Sequence, residues 1–106
     1  MEQKTNRSRL ALQSLLEELL GSKNVYYQPP ENLKMVYPAI RYSKSDITDF
    51  YANNKKYISR DVYDLVVIDK KPDNPVIKKI LELEYSDFDR HYVADNLNHD
   101  LIRIYY

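Results

Sequence analysis

The chain has 106 residues, 43% of them hydrophobic and 30% charged, with sixteen basic side chains balanced by sixteen acidic ones. That length fits one domain burying roughly two thirds of the surface its unfolded chain exposes, and it leaves no room for a second core. Zero net charge argues against phosphate-driven nucleic-acid binding, and the lack of cysteine removes disulfide frameworks and thiolate metal sites.

Other classes fall away on similar grounds. The N-terminus from Met1 to Arg9 is polar, with residues 1–8 expected to form a flexible segment. The longest unbroken apolar run is Leu65-Val66-Val67-Ile68, far short of a signal sequence or a membrane span. A soluble intracellular protein is the expectation. The single glycine, Gly21, cannot build a phosphate-cradling loop. Eleven tyrosines accompany two phenylalanines and no tryptophan. Tyrosine suits a surface that is wet before assembly and dry after it, and it equally suits ordinary strands.

From about Arg9 to Leu20, Leu12, Leu15, Leu16 and Leu19 recur at the spacing of one helical face, and Gly21 stands where a left-handed cap ends a helix. Ser22 to Asn32 contains Pro29-Pro30 and reads as an irregular connection, with a short strand at Val25 to Gln28. Met35 to Ser43 has strand composition, and Pro38 belongs at a strand start or on an edge. Ile47 to Tyr51 continues as strand, and Asn53-Asn54-Lys55-Lys56 supplies a hairpin tip. Tyr57 to Ile68 then predicts a long strand whose last four apolar residues are buried on both faces at the centre of a sheet.

Asp73-Asn74-Pro75 offers a capping side chain followed by proline at a helix start. Val76, Ile77, Ile80 and Leu81 line one face of a second helix that should end near Leu83. Tyr85 to Val93 and Leu97 to Tyr106 read as strands joined at Ala94-Asp95-Asn96. The order is therefore α-β-β-β-α-β-β: an α+β domain with a mostly antiparallel sheet and two helices packed on one face. The other face is left to solvent or a partner, and tyrosines are expected on it.

The densest polar stretch runs from Asp87 to Asp100. If its arms form a hairpin, His91 and His99 approach each other beside Asp89, Asp95 or Asp100, residue types used by zinc and acid–base sites. The alternative is structural: Asp95, Asn96 and Asn98 shape the turn, Arg90 pairs with a carboxylate and the histidines bond to backbone. Asp61 and Asp64 fall on opposite faces of their strand, so they make no acid pair. Ser8, Ser14 and Ser86 lack the glycines that a nucleophile elbow needs. Tyr51 and Tyr57 flank the basic hairpin tip, a faint stacking pattern for nucleic acid without the net charge that goes with it. No cofactor, metal or substrate site is expected, and no enzymatic activity.

Pro29-Pro30, the Tyr37-Pro38-Ala39-Ile40 strand, Val66-Val67-Ile68-Asp69 before the second helix, and the run from Phe88 to Asp100 together resemble small structural proteins of the head-to-tail module of tailed bacteriophages. The resemblance spans Leu10 to Tyr106 and is nearest to the tail terminator, or tail-completion, family of head–tail joining proteins. It implies a hexameric ring seated on the last ring of the tail tube protein, which stops tube growth and docks the head connector or adaptor protein. The location implied is the virion neck, reached from the host cytoplasm, with nucleic acid only passing through the lumen. A head-completion or connector-adaptor role is the neighbouring alternative, and a small nucleic-acid-binding regulator a more distant one. A ring needs two different complementary patches on each copy. The two hairpins would supply them: Phe50, Tyr51, Asn53, Asn54, Lys55 and Lys56 along the tube axis, and Asp89, Arg90, His91, Asp95 and Asn96 toward a neighbour or the connector.

Overall fold

A computed structural model of the chain describes residues 8–52, 54–83 and 85–106, and among these the side chains of all but Phe50, Ala52, Lys56, Tyr57 and Ile58. Residues 1–7 of the segment expected to be flexible lie outside the described residues. Ser8 is fixed: its hydroxyl accepts a hydrogen bond from the Ala11 amide at 3.2 Å and caps α1 (Arg9–Leu20). Gly21, at φ 83°, closes that helix by donating its amide to Glu17 O at 2.9 Å.

Five strands follow the predicted order: β1 (Val25–Tyr27), β2 (Ala39–Ala52), β3 (Lys55–Asp69), β4 (Ser86–Ala94) and β5 (Leu97–Tyr105), with α2 (Val76–Leu81) between β3 and β4. They form one sheet ordered β1-β2-β3-β5-β4. Only the β1–β2 pair is parallel; the other three are antiparallel. The cis Tyr37–Pro38 peptide immediately precedes β2, so Pro38 stands at a strand start as expected. The two strand pieces expected at Met35–Ser43 and Ile47–Tyr51 are one strand beginning at Ala39. It stays continuous because Ser45 is absorbed as a bulge, its hydroxyl donating to Val62 O at 3.3 Å.

β3 is central, and Leu65, Val67 and Ile68 are buried. Val66 is only half-buried, because its face of the sheet carries no helix and opens into shallow depressions. The second helix ends at Leu81, earlier than Leu83, as Leu83 donates back to Ile80 O at 3.0 Å in a tighter turn. Its first amide is capped by Asn74, whose Oδ1 accepts from Val76 N at 2.8 Å. Asp73 instead takes up a left-handed φ of 59°. The β4–β5 turn has Asp95 and Asn96 at φ 54° and 61°, the two left-handed residues of a two-residue hairpin loop.

Both helices pack on the same sheet face. Leu12 and Leu16 of α1 and Val76 and Ile80 of α2 close over Ile40, Tyr42, Tyr63, Leu65, Val67, Ile102 and Ile104. Each such aliphatic side chain contributes about 1.5–3 kcal/mol relative to exposure, so this layer holds the domain together.

Candidate assembly surfaces

The sheet is uneven in length, and that shapes the molecule. Beyond the Ser45 bulge, β2 and β3 run on as a hairpin arm. β1 pairs with β2 only at Ile40–Tyr42, and β5 pairs with β3 only from Val62 onward. Among the described residues no third strand pairs with the arm. A fourteen-residue β2 at about 3.3 Å per residue spans about 46 Å, which accounts for the 49 Å long axis beside widths of 28 and 25 Å.

The arm carries exposed apolar side chains: Ile47 is 58% exposed and Tyr51 64%. Asn54, at φ 62°, and Lys55 are exposed at its tip. Asn53 and the side chains of Phe50 and Lys56, predicted with them, lie outside the described residues. Along the arm Ser59 Oγ donates to Asp49 Oδ1 at 2.5 Å. At its root Lys44 meets Asp61 at 3.5 Å. Arg60 lies beside the root, 8% exposed, its guanidinium 4.6 Å from the Tyr85 ring centroid. Among the described residues Arg60 Nη1 is buried with no hydrogen-bond partner, a cost that the ring contact offsets only in part.

β4 is the second candidate surface. It is a nine-residue edge strand exposed through most of its length, with Asp89, Arg90 and His91 at its middle. A bulge at Asp89 interrupts its alternation, and the register sets Phe88 opposite Ile102 and His91 opposite Asp100. Phe88 and His91 therefore share the helix-bearing side although they are three residues apart. There His91 Nδ1–H donates to Asp100 Oδ1 at 2.8 Å, beside a groove of 650 Å³ between β4 and α2 lined by Ile77, Leu81, Phe88 and Pro75.

The two histidines do not meet. His99 sits on the opposite face, stacked on Tyr92 with ring centroids 4.6 Å apart, and its Nδ1–H donates to Leu97 O at 3.1 Å. Among the described residues no group of three or more His, Asp or Glu is placed to hold a metal ion. Arg90, expected to pair with a carboxylate, lies 5.9 Å from the Tyr92 ring centroid instead. Asp95 and Asn96 are exposed at the β4–β5 turn. The register puts that turn beside Asp69 and the arm tip at the far end of β3, so the two predicted patches occupy opposite ends of the molecule.

The helix-free face mixes charge with tyrosine: Tyr26 lies beside Arg41, and Tyr92 stacks on His99 there. Arg41, Asp64 and Arg103 rim depressions of 490 and 250 Å³, and Arg103 Nε donates to Asp64 Oδ1 at 3.2 Å. Asp61 and Asp64 do fall on opposite faces, held by Lys44 and Arg103 respectively. Tyr27, Tyr42 and Tyr63 lie under the helices, with centroids 5.0 and 5.8 Å apart in sequence. Tyr42 Oη donates to Gln13 Oε1 at 2.6 Å, and the Arg9 guanidinium lies 4.3 Å from the Tyr27 centroid. Burial raises the Tyr42 pKa, and burial with the nearby Asp61 carboxylate pushes Tyr63 up to about 12. Tyrosine is thus divided between a polar-tipped core, which was not expected, and the outer face, where it was.

No described helix is long and apolar enough to cross a membrane. In comparisons with known proteins, no family model matches the chain and no curated protein is significantly similar to it. Of the acids weighed beside His91, the structure selects Asp100, as the two-residue turn dictates; sequence reasoning missed the groove, because Phe88 reaches His91's side only through the Asp89 bulge. It also missed the Arg60–Tyr85 contact, for which two residues 25 apart give no local pattern.

Proposed function

We propose that this chain is a non-enzymatic structural protein of a phage neck, a tail terminator whose copies close into a ring that caps the tail tube and joins it to the head connector. The observation that carries the reading is the β2–β3 arm, which extends past the sheet with no third strand beside it. An isolated two-stranded ribbon is marginal in water, so an arm of this length gains most of its order by lying on another molecule. The edge strand at the far side of the sheet, exposed and partly apolar, is a second patch of different shape. Two unlike patches on one copy suit head-to-tail association, which closes into a ring when the rotation permits.

Sedimentation velocity and negative-stain microscopy on the purified chain test this directly. Closed rings in a concentration-dependent equilibrium with monomer are expected, together with arrest of tube growth when the chain is added to a polymerising tail tube protein. A monomer at all concentrations that is retained on duplex DNA, with retention falling steeply as salt rises, overturns it in favour of a nucleic-acid-binding regulator.

A further inference from the structure

Resting on that reading, we infer that the arm of one copy adds to the β4 edge of the next copy, extending its five-stranded sheet and covering the groove between β4 and α2. Apart from the arm's own flanks, the sheet has two edges, β1 and β4, and of these only β4 can receive a strand of useful length. β1 is three residues long and runs into Pro29-Pro30, which lack amide donors. β4 offers nine residues, Ser86–Ala94, with one ladder partner, β5. Along the arm, β3 runs from Lys55 to Arg60 before Asp61 O accepts from Tyr106 N at 2.8 Å and Val62 begins its pairing with β5, a stretch that fits within the length of β4.

Edge strands in monomers are usually blunted by charge or bulges, and β4 has both in Asp87, Asp89 and the bulge at Asp89. The charges on β4 decide between two ways of using the edge. Pairing β4 antiparallel with β4 of a second copy about its midpoint sets Arg90 against its own equivalent, and like charges facing across strands are destabilising. The arm instead carries Lys55-Lys56 at its tip and exposes Ile47 and Tyr51, complementary to acidic Asp87 and Asp89 and to exposed Phe88 and Val93. A strand added outside β4 also lies beside the groove, where Phe88, Leu81 and Ile77 are open to an apolar side chain. Because arm and edge are different patches, each copy gives an arm and receives one, and the association runs head to tail.

The chain has no cysteine, which makes the test clean. Ile47→Cys protein is mixed with Val93→Cys protein and treated with a bismaleimide of about 10 Å reach, two strand spacings, which tolerates a shift of register. Both positions are exposed, so neither change disturbs the core. Val36→Cys, exposed near the β1 edge, serves as the competing acceptor. A covalent dimer from Ile47→Cys with Val93→Cys and none with Val36→Cys is expected. Tyr51→Ala should weaken association about tenfold, the loss of one apolar interface anchor, with an unchanged urea midpoint. Rings that form without the Val93→Cys cross-link, or that cross-link through Val36→Cys, overturn the edge assignment and leave the ring reading standing. A chain monomeric throughout, with no cross-link, overturns both.

Discussion

Shortening the arm separates what it does for folding from what it does for assembly. In the variant, residues 50–58 are replaced by Asn-Gly, so that Asp49 and Ser59, already paired, close a two-residue hairpin. The deletion removes the pairs Phe50↔Ile58, Tyr51↔Lys56 and Ala52↔Lys55 and keeps the root from Asp46 to Asp61. Cross-strand pairs contribute about 0.2–1 kcal/mol each, so three give at most about 3 kcal/mol. Against that stands the ordering of the deleted residues, each costing about 1–2 kcal/mol of backbone entropy, which is why free ribbons are marginal. The described side chains among the removed residues, Tyr51, Asn54 and Lys55, are exposed and lie outside the packed layer of Leu12, Leu16, Tyr63 and Ile80. The expected change in unfolding free energy is therefore within about 1 kcal/mol by urea denaturation, while sedimentation shows only monomer. A loss of several kcal/mol would refute the reasoning, because the arm would then be part of the cooperative fold. Retention of rings would refute it from the other side.

Leu16→Ala, at a fully buried position facing the sheet, should cost about 2–5 kcal/mol in urea denaturation. Gly21→Ala meets no atom within 4 Å, so its cost of about 1–2 kcal/mol comes from the left-handed backbone alone and appears as a lowered urea midpoint. Tyr63 is neutral in the folded state up to about pH 12 but ionises near 10 when unfolded, so its contribution is full below pH 10 and is lost between 10 and 12. That amounts to about 2–3 kcal/mol, and Tyr63→Phe should flatten stability against pH across this window. Arg60→Met removes a buried guanidinium nitrogen that has no partner among the described residues and keeps much of the side-chain volume, so thermal stability should hold or rise; a loss above about 2 kcal/mol would mean that the Tyr85 contact outweighs the desolvation.

Where the pattern was local, the sequence was readable. The leucine spacing and Gly21 define α1 because both periodicity and cap lie within thirteen residues, and the β4–β5 turn is legible because Asp95 and Asn96 tolerate left-handed backbone. The β2–β3 and β4–β5 pairings follow from short connections, whereas the pairing of β3 with β5 skips a strand and has no local signal. What stayed hidden depends on register. Strict alternation sets His91 with Asp89 and away from Phe88; the bulge brings Phe88 to the side where the turn already pairs His91 with Asp100. The buried tyrosines were equally hidden, because Tyr42 and Tyr63 fill a core only by satisfying their hydroxyls, and their partners Gln13 and Asp61 are fixed by the fold.

The sheet divides into a half that is closed and a half that is open, and the bulge at Ser45 is the boundary. On one side, helices, aliphatic side chains and polar-tipped tyrosines form a layer with its own stability. On the other, paired strands run out with exposed Ile47 and Tyr51 and only each other for support. Arg60 stands at that boundary, bound to the body through the ring of Tyr85, whose left-handed φ of 61° is unfavourable for an aromatic residue. Through that contact the base of the arm is tied to the start of β4, and the direction in which the arm leaves the sheet is set there by the pairing of β2 with β3. In a closed ring, the rotation between copies depends on that direction.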